Sequence, residues 1–317
     1  MTTSNTTPQY DKHHYAVVDL GSNSFHLLIT RLDGTKVETV NKIKRKVRLA
    51  AGLNDDNQLS QEAIDRGLDC LTLFAEHLSS IPRQNIRIVA TATLRIANNS
   101  DKFIQAANNI LPISINLLSG LQEANTIYSG VAHTCQGVTT QKRLVLDIGG
   151  ASTELIVGEG FKALHATSLN LGCVSFRAHY FSDDCLTTNN FNNAIKAASN
   201  IITPVIDEFI NRGWQTVVGS SGTMQALAEL LCYQGQPSVI TPEFLQKVKQ
   251  ALIGCKTIDN IHLAGLRADR APVLASGLSI LIALFNCLAI KELKLSTGAL
   301  REGLLFEMVP QKSVLRV

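Results

Sequence analysis

Two short stretches place the same reactive groups at the same spacing. VVDLGSNSFHLLI runs from Val17 to Ile29, and LVLDIGGASTELIV from Leu144 to Val157. Asp19 matches Asp147, Gly21 matches Gly149, Ser24 matches Ser152 and Leu27 matches Leu155, all at one constant offset. Each copy ends an apolar strand in an aspartate and follows it with small and hydroxyl-bearing residues: Gly21, Ser22, Asn23 and Ser24 in one, Gly149, Gly150, Ala151 and Ser152 in the other. Small residues let the backbone approach a ligand and aim its N–H groups at an anion. Ser24, Ser152 and Thr153 add hydroxyl donors. A carboxylate beside a phosphate is repulsive unless a cation sits between them. Asp19 and Asp147 therefore call for Mg²⁺, or Mn²⁺ in its place, held through oxygen and water and neutralising a reacting phosphoryl group. A single strand-end aspartate before a tight turn is commonplace; two in register are not. GSSGT, Gly219, Ser220, Ser221, Gly222 and Thr223, is a third glycine-containing turn entering a helix, suited to an anion or a ribose.

These groups need strands to carry them and helices to hold the strands. Tyr15–Leu20, Phe25–Leu32 and Val37–Leu49 read as strands, with Asp33-Gly34 as a hairpin turn. A helix follows Ser60 to about Leu78. Ile86–Ala90 reads as a strand, TATLRIANN as the start of a helix, Ile113–Leu118 as a strand and SGLQEANTIYSGVAH as a helix. After a polar joint at Thr139–Lys142 the order restarts. Leu144–Ile148, Thr153–Val157 and Lys162–Ser168 are strands and Phe191–Ile210 is helical. WQTVVGSSGTMQALAEL reads strand, turn, helix; Val248–Ile253 is helical; ELKLSTGALREGLLFEM reads strand, turn, helix. The expectation is an α/β protein of two duplicated lobes with a cleft between them. The first spans 1–138, joined by a C-terminal helix over about 299–317, and the second spans 139–298. Ligands in α/β sheets sit at strand ends, where these turns lie.

Composition limits the rest. The chain has 317 residues, about two domains at roughly 150 each. It is 45% hydrophobic and 17% charged, so it can build cores and is not a disordered chain. A net charge of +3 is too mild to imply nucleic acid. The 7 cysteines form no C-x-x-C pair, which reads as scattered thiols of a cytoplasmic protein. The first residues, MTTSNTTPQYDKHH, lack the apolar segment of a signal peptide. Ala271–Ile290 is apolar and almost long enough to span a bilayer, but it carries Ser276, Gly277, Ser279 and Asn286 and reads as a buried core helix. The basic run Lys42, Lys44, Arg45, Lys46, Arg48 is either a solvated strand face or a rail for a polyanion.

The duplicated D-x-G lobes resemble the acetate-kinase, sugar-kinase, heat-shock ATPase and actin superfamily, whose lobes are ribonuclease-H-like. DLGSNSFHLLI, TATLRIA, SGLQEA, DIGGASTELIV and LSTGALREGLL together resemble the exopolyphosphatase and guanosine pentaphosphate phosphatase (Ppx/GppA) family over about residues 15–308. That resemblance implies hydrolysis of the terminal phosphoanhydride of polyphosphate, guanosine pentaphosphate or both. It implies that Glu123 is the base that activates water, that Arg95 is a cleft arginine, and that Glu154 is a partner of metal or water beside Asp147. It also implies that Arg267 and Arg270 are a basic pair before the long helix. Family members often carry an acid before the catalytic glutamate; this chain has Gln122. The sequence stops at Val317 without an adjacent His-Asp pair, so it resembles the short two-domain form, and a homodimer is compatible with it. No membrane or nucleic-acid partner is expected. A small-molecule kinase on the same fold, or a non-catalytic nucleotide-responsive module, are the alternatives.

Overall fold

The computed structural model describes residues 9–135, 141–309 and 314–316. The head of the polar tail and the first half of the polar joint fall outside them. The chain divides into two compact units: Met1–Ser119 with Leu300–Val317, and Gly120–Ala299.

The first unit begins with three antiparallel strands, β1 (His14–Leu20), β2 (Ser24–Asp33) and β3 (Lys36–Lys46). Helix α1 (Gln61–Leu78) follows, started by Ser60, whose hydroxyl accepts from the Ala63 N–H at 3.3 Å. Next come β4 (Ile86–Ala90), α2 (Ala92–Ile96), α3 (Ser100–Ile110) and the short β5 (Asn116–Leu117). β4 runs parallel to β1, and β5 parallel to β4. Alternation places Phe25, Leu27 and Ile29 on one face of the sheet, where they meet Leu71, Phe74 and Phe103 of the helices in a continuous core. The opposite face carries Asp19, Ser24 and His26.

The second unit opens with α4 (Gly120–Thr134) and repeats the plan: β6 (Lys142–Ile148), β7 (Thr153–Glu159) and β8 (Lys162–Leu169) are antiparallel. Then follow α5 (Cys173–Tyr180), α6 (Thr188–Ile202), α7 (Ile206–Ile210), β9 (Thr216–Ser220), α8 (Ser221–Tyr233), β10 (Val239–Ile240), α9 (Pro242–Cys255), α10 (Ala271–Cys287) and β11 (Leu293–Leu295). β9 is parallel to β6, and β11 parallel to β9. The chain then returns to the first unit as α11 (Leu300–Met308), packed on β1, and as β12 (Val314–Arg316), which joins the edge beside β3.

Both units therefore have a mixed sheet with the same central order and directions, the duplicated α/β lobe expected from the sequence. The duplication extends to irregularities. The β2–β3 ladder shifts register between Ile29 and Thr30, and the β7–β8 ladder between Val157 and Gly158, at the same offset as the aspartates.

Several elements differ from the sequence expectation for local reasons. β3 stops at Lys46 because Arg48 turns to a φ of 54°. The helical stretch expected to run to Ile210 breaks into α6 and α7 around Pro204. α9 starts earlier, at Pro242, with Thr241 capping it. α5 was not foreseen at all. α4 packs on β7 and β8 and belongs to the second unit, so the division falls at Ser119 and not near 138. α10 is a core helix: every residue from Leu274 to Phe285 is buried. Among the described residues, no helix is long and apolar enough to cross a membrane.

Candidate active site

The second unit gathers acids on one row across its sheet. Cross-strand pairing aligns Ser168, Glu154, Asp147 and Ser220 on four neighbouring strands. Ser168 donates its hydroxyl to Glu154 at 2.7 Å. The Ser152 hydroxyl also bonds Glu154. Ser220 donates to Asp147 in a short hydrogen bond. Glu123, in the first turn of α4, completes the cluster. Glu123 is 7% exposed, Asp147 8% and Glu154 1%, so three carboxyls share a nearly dry space. Burial, then the negative charges of Glu123 and Asp147, hold the Glu154 carboxyl well above the usual glutamate range; the two serine hydrogen bonds only partly oppose this.

The loop between β6 and β7 is pinned from behind. The carbonyl of Gly149 accepts from the Cys173 N–H at 2.9 Å, and that of Gly150 from Val174 at 2.8 Å. With those carbonyls turned into the first turn of α5, the loop can present its amide side to an anion. Gly172 makes this possible: a Cβ there would sit 2.3 Å from the Ala151 nitrogen. The Thr153 hydroxyl donates to the Leu171 carbonyl and ties the strand to the same segment. Cys173 borders this loop, but burial pushes its thiol up to about 12, so it is no thiolate nucleophile.

The Gly219–Thr223 turn joins the same site. Ser220 reaches Asp147, and Ser221 donates to the Ile148 carbonyl at 2.8 Å while holding a φ of 78°, an uncommon conformation for a residue with a side chain. Gly222 leaves room for Arg270, whose Nη1 would lie 2.2 Å from a Cβ at that position. Arg270 donates to Gln225 at 2.8 Å, and burial lowers its affinity for its proton. Arg267 is placed differently. It is half exposed and bonds Asp269 through two nitrogens at 2.9 and 3.0 Å, with Glu229 at 3.7 Å. The structure separates the duties of the expected basic pair.

In the first unit the loop of Gly21, Ser22, Asn23 and Ser24 is held by the exit of β3. The Ser22 carbonyl accepts from Ala50 and the Asn23 carbonyl from Arg48, both at 2.9 Å. Ser22 and Ser24 are buried. Asp19 lies opposite His26 in the ladder. Arg95 donates to the Leu118 carbonyl at 2.8 Å, linking α2 to the end of β5. The basic run divides by alternation. Lys42, Lys44 and Lys46 pair with Leu28, His26 and Ser24 on the Asp19 face, whereas Arg45 pairs with Phe25 and acts on Cys70 on the other.

Hard oxygen donors of this kind suit Mg²⁺, which keeps most of its waters and takes one or two carboxylates. Asp147 and Glu154 could supply them, and Asp19 is the corresponding carboxylate of the other unit. Among the described residues, no three His, Cys, Asp or Glu side chains form a group that could hold a metal directly.

One lobe is built twice, each copy with a glycine-containing loop after its strand-end aspartate. The Ppx/GppA phosphatase family profile matches residues 28–312, and the chain belongs to that family. A guanosine-5'-triphosphate,3'-diphosphate pyrophosphatase from Vibrio atlanticus is 53% identical over 298 residues, 94% of this chain and 59% of that protein. One of the same name from Aliivibrio fischeri is 52% identical over 297 residues, again 94% and 59%. The chain thus spans 59% of the length of these relatives. An exopolyphosphatase from Cytophaga hutchinsonii has the same fold, with a TM-score of 0.84 at 22% identity over 93% of this chain and 97% of that one. A Ppx/GppA family member from Aquifex aeolicus superposes with a TM-score of 0.75 at 22% identity, over 93% and 96%.

Sequence reading missed Ser168, Gly172 and the Ser220–Asp147 bond. The constant offset could have drawn attention to one more position: Glu154 stands where the first copy has His26.

Proposed function

We propose that this chain hydrolyses the terminal phosphoanhydride of guanosine pentaphosphate, with release of orthophosphate. The observation that carries the reading is the buried Glu123–Asp147–Glu154 cluster beside the pinned 149–152 loop. Relatives at 53% and 52% identity bear the name of that activity, which supports the choice of substrate.

In this reading the amides and hydroxyls of the two Asp-Gly loops bind phosphate oxygens. Mg²⁺, when bound, supplies positive charge to the phosphoryl group. Asp147 and Glu154 would hold it through oxygen, and Asp19 is the carboxylate beside the corresponding loop of the first unit. Glu123 accepts a proton from the attacking water, and its burial keeps it from being screened by solvent. Arg95 is a further donor for phosphate oxygens. Ser168, Ser152 and Ser220 orient the carboxylates. Such residues have their own hydrogen bonds satisfied, so the site is preorganised and not assembled at the moment of reaction.

A second substrate, inorganic polyphosphate, is favoured by one observation: Lys42, Lys44 and Lys46 line up on the same sheet face as Asp19. The test is phosphate release by purified protein with Mg²⁺ from guanosine pentaphosphate, polyphosphate and ATP. The expected order places the pentaphosphate first. Release from polyphosphate alone would reassign the substrate, and release from none would return weight to a binding module. Formation of a phosphorylated acceptor would favour a kinase.

A further inference from the structure

The two copies differ at one position that the phosphatase reading does not use. His26 occupies the place of Glu154, directly opposite its aspartate in the ladder. Its Nδ1 lies 2.9 Å from Nη1 of Arg301, in the first turn of α11. A guanidinium has only N–H donors, so Nδ1 must accept. The neutral imidazole then keeps its single proton on Nε2. Directly opposed cross-strand residues have Cβ atoms about 4.5–5.5 Å apart. Asp19 is therefore the carboxylate that the ladder places against His26.

We infer that Arg301 and His26 form a positioning pair for Asp19. Arg301 fixes the tautomer, and His26 donates Nε2–H to the Asp19 carboxylate, which holds that group in one orientation. A histidine oriented through one nitrogen so that the other serves a carboxylate is a recurring arrangement around reactive sites. The chain crosses back to the first unit at Leu300, and Arg301 is the first side chain it delivers there beyond that residue. The position of α11 on β1 thus acquires a chemical role beside its packing role. The inference rests on the proposed phosphatase reading for what Asp19 does, but not for the geometry of the pair.

The test uses full-length protein with ¹⁵N-labelled histidine, His26 being assigned by comparison with His26→Gln. The expected wild-type ring is neutral, with Nε2 protonated and Nδ1 bare. Arg301→Met should release it to a mixture of tautomers, and Asp19→Asn should move the Nε2 signal. A ring protonated on Nδ1, or one that ignores both substitutions, would overturn the pair. The activity arm follows phosphate release from guanosine pentaphosphate. His26→Leu should lower kcat about 10- to 100-fold, the range for removing such an orienting partner. His26→Gln, whose amide nitrogen overlays Nε2, should restore most of it, and His26→Asn should not. Equal rescue by Asn, or no loss in Leu, contradicts the role. A wild-type protein silent toward every substrate refutes the phosphatase reading instead, and the ring spectra still decide the pair.

Discussion

Set side by side, the two sheets read Lys44, His26, Asp19, Val89 in the first unit and Ser168, Glu154, Asp147, Ser220 in the second. The backbone is the same down to a register shift, yet the chemistry around each aspartate is opposite in sign. Asp19 has basic and donor neighbours, with Arg301 behind them. Asp147 has two acids beside it, Glu154 and Glu123, with two serine hydroxyls on Glu154 and one on Asp147 itself. A duplicated scaffold has kept its glycine-containing loops and divided the rest: one half gathers positive charge, the other gathers negative charge that a cation would relieve. Strand pairing fixes where each side chain stands, so three differences in the row, with Glu123 and Arg301 added from helices, reverse the field.

The largest expected effect breaks the acidic half at its base. Glu123→Gln should lower kcat by about 10²- to 10⁴-fold, the usual worth of a general base, while substrate binding survives. Wild-type turnover in that variant would remove Glu123 from the reaction. The next effect sharpens the comparison itself. Asp147→Asn should abolish the response of activity to Mg²⁺, whereas Asp19→Asn should slow turnover with the Mg²⁺ midpoint retained. Metal titrations of both variants measure this, and an equal loss of metal dependence would show that the halves are not specialised.

The smallest effect concerns stability. The folded pKa of Glu154 lies above its ordinary value of 4.5. Such a group contributes stability that is fully present below the unfolded pKa and is lost as pH rises through the folded one. In metal-free protein, melting temperature should therefore fall as pH rises above about 4.5 toward the raised folded value, through this group. Glu154→Gln should flatten that dependence and raise the metal-free melting temperature at alkaline pH by a few degrees, at about 2–4 °C per kcal/mol. Added Mg²⁺ should stabilise wild type more than the variant. A variant with the wild-type pH profile would mean that the buried repulsion is relieved some other way.

Much of this molecule was legible before any coordinates. The repeat of Asp19 and Asp147 announced duplicated lobes, because a strand-end acid followed by small residues is a local pattern that sequence spacing preserves. Glu123 and Glu154 were legible through family motifs. The antiparallel pairing of β2 with β3 followed from the Asp33-Gly34 turn. What stayed hidden was everything that depends on a partner far along the chain. Nothing near Gly172 signals that Ala151 will press against it. Arg267 and Arg270 look equivalent in the sequence, yet one is taken by Asp269 and the other lies on Gly222. The basic run looks continuous, and alternation divides it between two faces.

The sequence by itself determined the periodicities: which residues alternate into a core, where strands must turn, and that one lobe is written twice. Those follow from contacts between near neighbours and from the conformational limits of each residue. Only the tertiary structure decided that α4 brings Glu123 to Asp147 and Glu154, and that the chain returns after Ala299 to set Arg301 against His26. Burial and charge act through space, so the pKa of Glu154 and the tautomer of His26 exist only once distant segments have been brought together.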